Sequence, residues 1–467
     1  MLKPINTLNV TDSNSIMKPS IILINPWIYD FAAYDMWAKP LGLLYLAGRL
    51  RFSGLDVHFI DCLDVHNTAL RGLDYLKAPA RRKYGTGKFW KQTIPKPPQL
   101  KNIARNYSRY GIPEELYRNE LTKVKNPAAI LITSLMTYWY PGVFEAIRIA
   151  REIHHHVPIV LGGIYALLCT KHAENYSNAD IVIASSSSEE NENRLNEFLV
   201  KLMPGIDIKR STSPFIPYPS FDLFTKIDYI CLLGSIGCPF SCPYCASNYL
   251  GPYFLKREPM DLFEEVLFWY QKYKVTDFAF YDDALLVDAE RHISIVLERI
   301  IKAGIPLRFH CPNGLHVAYI DKEMASLLYK AGFKTIRLGL ETSDVSLHKK
   351  LGEKFSVGQF ERAAINLKQA GFSASQIGAY ILMGLPGQSY NQVEETIKDV
   401  GKIDAMPYLS EYSPIPHTRM WEDAVNASRF DIASEPLFHN NTLIPCWDGN
   451  DLSNVSRLKN LASQLRL

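Results

Sequence analysis

Three cysteines lie close together near the middle of this 467-residue chain. Cys238, Cys242 and Cys245 are spaced C-x3-C-x2-C, and Tyr244 directly precedes the third. One glycine and two prolines fall within the same stretch, which predicts a loop rather than a helix. Three thiolates in a tight loop can hold one metal centre. A structural zinc site is closed by four ligands, whereas a [4Fe-4S] cluster on three cysteines keeps one iron open for another ligand.

This spacing, with its tyrosine, resembles the signature of the radical S-adenosylmethionine (radical SAM) enzymes. In that family the open iron binds the amine and carboxylate of S-adenosyl-L-methionine, and one electron from the cluster splits it to a 5'-deoxyadenosyl radical. The resemblance implies a [4Fe-4S] cluster on Cys238, Cys242 and Cys245, with Tyr244 beside the cofactor. It also implies a small-molecule substrate and an electron donor such as flavodoxin or ferredoxin. A zinc loop and a chance grouping of cysteines are the alternatives.

Net charge, the length of apolar runs and cysteine content limit the classes of protein to which this chain can belong. The formal net charge is +3, so whole-chain electrostatics indicate neither a nucleic-acid nor a membrane partner. No apolar run reaches membrane-spanning length, and the first 19 residues are polar. The remaining five cysteines are scattered among apolar residues, as buried free thiols are. This cysteine usage predicts a reducing, cytoplasmic location, which an oxygen-sensitive cluster also requires.

The segment that carries the cysteines alternates between strand and helix from about 226 to 430. Short apolar runs end in polar residues, which predicts a barrel with its site at the C-terminal rim of the strands. The predicted strands after the cysteine loop are Asp277–Tyr281, Leu307–His310, Thr335–Leu340 and Ile377–Met383. The radical SAM family makes a partial, six-unit version of such a barrel. The resemblance therefore implies a partial (β/α)6 barrel here.

Polar residues at three strand ends match positions where the family handles S-adenosylmethionine. Asp282 and Asp283 follow the second strand, where the family binds the methionine amine, and a carboxylate suits an ammonium group. A helix N-cap is the alternative for one of them. Asn313 follows the third strand and Glu341 the fourth, near the ribose and carboxylate of the cofactor. For Glu341, a rim carboxylate without a ligand is an equal alternative.

Two later turns complete the predicted rim. Gly384 and Pro386 belong to a G-L-P-G sequence after the fifth strand, which resembles the family turn that lets the backbone approach adenine. At the sixth strand end, His417 stands where a P-x-P-G-T turn has glycine. A histidine facing the cavity could relay a proton, although a solvent-facing turn residue is favoured. No residue is assigned a catalytic role.

The first 200 residues resemble a second domain type. From residue 20 to 62 the pattern is strand, helix, strand, which implies a parallel sheet with a right-handed crossover. Together with the later V-L-G-G-I run, this order resembles the Rossmann-like cobalamin-binding-type domain that precedes many radical SAM domains. Gly162 and Gly163 would let a cofactor tail approach the backbone, and Ser134 would hydrogen-bond it. The fold class is therefore α/β, with cobalamin as an implied third cofactor.

The match to cobalamin-binding domains is incomplete at the cobalt ligand. The family's D-x-H-x-x-G loop is absent after the first strand, and Asp64-Val65-His66 lies after the second without the glycine. Any bound cobalamin is therefore expected to lack a protein histidine on its lower face. Large side chains of the first loop, Trp27, Tyr29 or Tyr34, would shield that face instead. The residues support the domain fold more strongly than the cofactor.

The predicted layout has four parts. Residues 20–200 form the cobalamin-binding-type domain, 201–225 a linker rich in proline and serine, 226–430 the barrel, and 431–467 a tail without an assigned role. Within the first domain, residues 63–127 form a basic and aromatic insert. Between residues 77 and 125 it carries thirteen lysines and arginines against three glutamates. Packing by its own aromatics is favoured over contact with an anionic substrate.

The predicted function is that of a radical SAM enzyme. If cobalamin binds, methyl transfer to carbon is the expected outcome, as in a cobalamin-dependent C-methyltransferase. The first alternative is a radical rearrangement or cyclisation without cobalamin. The second is a non-catalytic iron–sulfur or zinc protein, which the polar strand ends disfavour because a metal module needs none of them.

Overall fold

The computed structural model describes residues 18–72, 78–209 and 213–466. Most of the polar N-terminus, five insert residues and three linker residues therefore lie outside the described parts. Two parallel sheets dominate the fold, one in each half of the chain.

The N-terminal half holds a five-stranded parallel sheet and two small antiparallel sheets. Its strands are β1 Ser20–Asn25, β2 Ile28–Asp30, β3 Tyr34–Asp35, β4 Asp56–Asp61, β5 Gly87–Lys88, β6 Lys91–Thr93, β7 Ser108–Tyr110, β8 Ala129–Ile132, β9 Ile159–Leu161 and β10 Ile181–Val182. Its helices are α1 Leu41–Phe52, α2 Glu114–Lys123, α3 Tyr140–Ile153, α4 Ile164–Leu168, α5 Thr170–Tyr176 and α6 Ser188–Leu202.

The five-stranded sheet has the order β10-β9-β8-β1-β4, and its sequential strands pair through helical crossovers. The apolar runs predicted as strands form β1, β4, β8 and β9, while β10 is shorter than predicted. These strands are buried because α1 and α6 cover one face of the sheet and α3 the other. A parallel sheet covered on both faces explains the near-continuous apolar runs.

The basic insert is a packed part of the N-terminal domain. Its strands β6 and β7 join β2, from the loop after β1, in one antiparallel sheet. Trp90, Tyr107 and Tyr117 are buried in the core beneath it. The prediction that aromatics pack the insert agrees with this arrangement, and its basic side chains lie mostly on the outside.

The C-terminal half holds a six-stranded parallel sheet in sequential order, β11-β14-β15-β16-β17-β18, and the hairpin β12-β13. Its strands are β11 Ile230–Leu232, β12 Ser235–Ile236, β13 Leu255–Lys256, β14 Asp277–Phe280, β15 Arg308–His310, β16 Phe333–Glu341, β17 Ile377–Met383 and β18 Met406–Glu411. Its helices are α7 Ser247–Leu250, α8 Pro259–Tyr273, α9 Ile293–Ala303, α10 Lys322–Ala331, α11 Val345–Lys350, α12 Val357–Ala370, α13 Tyr390–Lys402, α14 Trp421–Ala427, α15 Gly449–Ser453 and α16 Val455–Gln464.

The sequential order of six strands, with β11 at one edge and β18 at the other, is that of a partial (β/α)6 barrel. The barrel core is continuous with residues of α1, which joins the two halves. Within the described residues, no helix combines the length and apolarity needed to cross a membrane.

Candidate functional site

The cysteine loop follows β11 at the C-terminal rim of the barrel. Gly237 begins it with a φ of +79°, and a Cβ there would lie 2.2 Å from the carbonyl oxygen of Tyr253. Glycine is therefore required at this turn. The amide of Cys245 donates to the carbonyl of Cys242 at 3.2 Å, which closes a tight turn between the last two cysteines. All three thiols are half-buried and free of disulfides.

The chemistry of the three thiols fits a metal centre that needs thiolates. Burial raises the pKa of Cys238 to about 11 and also raises that of Cys242, which the charge of Lys354 opposes. These two thiols are therefore protonated before metal binds, and binding must release their protons. No group of three His, Cys, Asp or Glu side chains converges as a single-ion site within the described ranges. A cubane places each thiolate on a different iron, so its ligands need not converge in that way.

An ion pair lies beside the cysteine loop. Lys354 Nζ is 3.1 Å from the hydroxyl of Tyr244 and 3.4 Å from Glu341 Oε1. Although burial opposes it, the charge of Glu341 and a hydrogen bond with Cys242 raise the pKa of Lys354, which therefore stays an ammonium. Glu341 ends β16 with a φ of +65°, where the register to β17 shifts. A carboxylate next to an ammonium complements a ligand that carries both an amine and a carboxylate.

The structure separates the two aspartates after β14. Asp282 is buried and accepts hydrogen bonds from the Gly234 amide at 3.0 Å and the Ser235 hydroxyl at 2.7 Å. Both of its oxygens thus hold the chain entering the cysteine loop, and it caps no helix. Asp283 is exposed and accepts from the Ser247 hydroxyl, which also lies 3.1 Å from Cys245 Sγ. Of the two carboxylates, Asp283 is the one open to a ligand.

Asn313 links the rims of neighbouring strands. Its side-chain amide donates to the carbonyl of Tyr281 at 2.8 Å, just after β14, and the residue is exposed. It therefore lies at the predicted rim, with its carbonyl oxygen still open to a ligand.

The turn after β17 is more enclosed than predicted. Gly384 has a φ of +96°, and its amide donates to Gln388 Oε1 at 2.9 Å. A Cβ on Gly384 would lie 2.7 Å from a methyl group of Ile444 in the tail. The glycine therefore serves packing within the chain, and its amide is not free for adenine. Pro386, two residues on, is half-buried.

A cavity of about 380 Å³, the edge cavity, lies at the C-terminal edge of the N-terminal sheet. It opens between α1 and α6, and Gly162 and Gly163 form part of its wall. Further lining residues that the sequence did not indicate are Gly42, Tyr45, Arg49, Thr133, Asn191 and Pro217. The predicted linker therefore packs against this site, since Pro217 belongs to it.

The position of Ser134 corrects its predicted role. Its hydroxyl donates to the carbonyl of Gly162 at 2.7 Å and accepts from the amide of Ala166, and the residue is fully buried. Ser134 thus fixes the glycine turn from behind, and its neighbour Thr133 faces the cavity. Thr133 follows β8 directly and lines the cavity, whereas Ser134, one residue further along the loop, is turned toward Gly162 and Ala166.

Exposed apolar side chains crowd the loops at this edge of the sheet. Tyr34 and Met36 follow β1, Met136 follows β8 and Ile164 follows β9, and each is at least 38% exposed. Trp27 is buried, with its indole N–H donating to Ile112 at 2.7 Å. Trp27 therefore cannot shield a cofactor as predicted, whereas Tyr34, at 45% exposure, can.

Comparison with known proteins relates part of this chain to one family and longer stretches to two named relatives. Residues 233–400 match the radical SAM superfamily model. The chain is 24% identical over 349 residues to an uncharacterized methyltransferase of Pyrococcus horikoshii, covering 68% of this chain and 74% of that protein. It is also 24% identical over 192 residues to an anaerobic magnesium-protoporphyrin IX monomethyl ester cyclase of Cereibacter sphaeroides, which covers 40% of this chain and 30% of the cyclase.

Solved structures share the fold over nearly the whole chain. One is the radical S-adenosylmethionine methyltransferase TsrM from Kitasatospora setae, whose structure has cobalamin and a [4Fe-4S] cluster bound. It matches with a TM-score of 0.64 at 15% identity, covering 95% of this chain and 91% of TsrM. The cobalamin-dependent S-adenosylmethionine radical enzyme OxsB matches with a TM-score of 0.55 at 14% identity, covering 96% of this chain and 56% of OxsB. Residues 233–400, which hold the cysteine loop and most of the barrel strands, therefore form a radical SAM domain.

Proposed function

We propose that this protein is a cobalamin-dependent radical SAM methyltransferase that acts on a carbon of a small molecule. One observation carries the proposal: a single chain combines a three-cysteine loop at the rim of a partial barrel with an edge cavity and exposed apolar loops on a Rossmann-like sheet. The whole-chain likeness to TsrM supports it, because TsrM holds both cobalamin and a [4Fe-4S] cluster.

Each cofactor has residues that suit it. Cys238, Cys242 and Cys245 would hold the [4Fe-4S] cluster, and the Glu341–Lys354 pair would bind the amine and carboxylate of S-adenosylmethionine. Tyr244, Asp283 and Asn313 would line the same rim. When bound, the cluster and S-adenosylmethionine supply a 5'-deoxyadenosyl radical, and cobalamin supplies a methyl group. An external one-electron donor, such as flavodoxin or ferredoxin, is required.

The edge cavity would hold the nucleotide tail of cobalamin. Gly42 and Gly162 leave its wall without side chains, and Thr133 and Asn191 offer hydrogen-bonding groups. Tyr34, Met36, Met136 and Ile164 would pack against the corrin ring, which accounts for their exposure in its absence.

Cluster binding is tested by replacing Cys238, Cys242 and Cys245 together with alanine. Anaerobically reconstituted wild type should contain four irons and absorb near ~400 nm, and the triple variant should lose both. Cys169→Ala, which removes a thiol outside the loop, is the control and should keep them. Four irons per chain in the triple variant would contradict the assignment.

Cobalamin binding is tested with Gly42→Leu. A Cβ at Gly42 meets nothing within 4 Å, so a leucine enters the cavity without disturbing the fold. Uptake of hydroxocobalamin, followed by its visible absorption, should fall at least about tenfold because the leucine occupies the tail site. Gly449→Leu is the control, since its Cβ also meets nothing and it lies in the tail. Equal uptake by both variants would refute this use of the cavity.

The similarity to the cyclases supports a second candidate function, which is radical cyclisation or rearrangement without cobalamin. Mass spectrometry with S-adenosylmethionine carrying a labelled methyl group separates the two. Label in the product supports methylation, whereas 5'-deoxyadenosine and an unlabelled, corrinoid-independent product support the alternative.

A further inference from the structure

Another cavity, of about 430 Å³, lies where the N-terminal domain meets the mouth of the barrel. Its walls come from α5, α7, the turn after β18 and the tail. Tyr249 of α7 stacks on His417, with ring centroids 4.1 Å apart and planes at 5°. His417 Nε2 is also 3.2 Å from the carbonyl of Leu168, at the end of α4. His417 thus bridges the two domains instead of facing solvent alone.

This cavity adjoins the cysteine loop. Helix α7 begins two residues after Cys245, and the Met420 amide, just after the β18 turn, donates to Pro243 at 2.9 Å. A molecule in this cavity would therefore rest against the elements that carry the loop. A volume of 430 Å³ lies within the range of small-molecule sites.

The polar groups of this cavity favour a single negative charge. No aspartate or glutamate lines it within the described residues. Lys171 is exposed in the first turn of α5, and it is the one lysine or arginine among the described residues that line this cavity. His172 Nδ1 lies 2.6 Å from the Tyr165 hydroxyl. Burial lowers the pKa of His172, which favours its neutral form.

The remaining lining favours a planar ligand. His417 and Trp421 present aromatic rings, while Pro416 and Pro436 form rigid walls between them. Trp421 is itself held edge-on against buried His439, with centroids 5.4 Å apart. Aromatic walls with one cation recognise a flat ring that bears one anionic group.

We propose that this cavity binds the substrate of the reaction proposed above, and that the substrate carries a carboxylate on a planar ring. A single cation in the lining matches a carboxylate better than a phosphate dianion, which would need a second cation. Calling the ligand a substrate rests on the proposed function. The recognition of an aromatic carboxylate rests on the cavity alone.

The test compares two probes of nearly equal shape, 2-naphthoate and its neutral amide, by titration calorimetry on the full chain. Wild type should bind the acid at least about tenfold more tightly than the amide, the range for a hydrogen bond to a charged group. Lys171→Gln should remove that preference, and Lys171→Arg should restore most of it. Lys201→Gln, at an exposed lysine on α6, is the control and should change nothing.

The outcomes separate this proposal from the proposed function. No preference for the acid in wild type, including no binding of either probe, overturns it. A preference that survives Lys171→Gln also overturns it. Cleavage of S-adenosylmethionine is measured separately, on wild type. If wild type fails to cleave S-adenosylmethionine, the proposed function falls, while the probe titrations still decide what this cavity binds.

Discussion

Lys354 and Ser134 show how far single residues can be assigned from sequence. Glu341 was predicted because it ends a recognisable strand, but its partner Lys354 lies in an irregular stretch after α11, where no periodicity marks it. Ser134 was placed on the correct loop but on the wrong face, and Thr133 faces the cavity instead. The sequence thus indicates which loops form the candidate sites. The direction of each side chain and its ion-pair partner depend on the folded backbone and cannot be predicted from the sequence.

Lys354 should contribute to the binding of S-adenosylmethionine. In reconstituted protein, Lys354→Gln should weaken binding by about 1.5–3 kcal/mol, because it removes a charged hydrogen-bond donor beside Glu341. Lys354→Arg should keep part of the affinity. The control is Lys349→Gln, at an exposed lysine of α11. Calorimetric titration that gives the same Kd for Lys354→Gln and wild type would exclude this role.

Asp282 should make the stability of the protein depend on pH. Burial raises the pKa of Asp282 to about 6 in the folded state, and hydrogen bonds from Gly234 and Ser235 only partly oppose this. The folded protein thus binds the proton more tightly than the unfolded chain. This favourable contribution is fully present below the unfolded pKa and is lost as the pH rises through about 6.

The expected change in the free energy of unfolding follows from the same pKa shift of Asp282. From pH 5 to pH 7.5, wild type should lose about 1–2 kcal/mol of unfolding free energy relative to Asp282→Asn, which does not titrate. Urea unfolding at both pH values measures the difference. Asp207→Asn, at an exposed carboxylate, should show no comparable change. A pH-independent difference between Asp282→Asn and wild type would contradict the assignment.

At the scale of elements, parallel strands were predictable and antiparallel ones were not. The strands β8 and β17 begin and end where the apolar runs do, because burial on both faces leaves a continuous apolar signal. The small sheet of β2, β6 and β7 had no such signal. Its strands are only three residues long, and β2 pairs with β7 about 80 positions away. The pairing of β6 with β7 is closer in sequence, from Lys91 with Tyr110 to Thr93 with Ser108, but it joins strands too short to leave a hairpin pattern.

The two glycines after β9 should tolerate substitution very differently. Gly163 has a φ of +95°, and a Cβ there would lie 2.3 Å from the carbonyl oxygen of Ser134. Gly163→Ala should therefore lower the free energy of unfolding by at least about 1–2 kcal/mol, since left-handed strain and a backbone clash combine. At Gly162 the nearest atom would be 3.7 Å away, an ordinary contact. Gly162→Ala is thus the matched control, and equal denaturation midpoints for the two variants would contradict this account of the turn.

At the scale of the whole molecule, the tail joins the two domains. Buried His439 lies 2.9 Å from the Thr137 hydroxyl, and the Asn440 side chain donates to Asp30 at 2.8 Å. Trp37 of the first loop stacks on buried His310 inside the barrel, with centroids 4.6 Å apart. These contacts join residues about 270 to 410 positions apart. Local sequence patterns cannot carry such information, which is why the tail had no predicted role.

This arrangement also bears on how cobalt would be bound. No histidine lines the edge cavity within the described residues, and the first loop offers Tyr34 and Met36 at its surface. His66, the nearest histidine to the family motif in sequence, is held 2.5 Å from Asp228 and is half-buried away from that cavity. A carboxylate partner does not by itself prevent a histidine from binding a metal, because ligating histidines commonly pair their second ring nitrogen with one. It is the position of His66, outside the lining of the edge cavity, that makes it unsuitable as a cobalt ligand.

The electron paramagnetic resonance spectrum of Co(II) cobalamin bound to the protein should therefore lack nitrogen superhyperfine splitting from a protein histidine. An axial nitrogen ligand would split the cobalt lines, whereas a face covered by Tyr34 supplies no such nucleus. His66→Ala should leave the spectrum unchanged, because His66 does not line the edge cavity. Splitting in wild type that disappears in His66→Ala would show that the first domain rearranges to supply a ligand, and would refute the histidine-free site. If fully active protein takes up no corrinoid at all, the edge cavity must serve another purpose, and the cobalamin-free reaction becomes the correct interpretation.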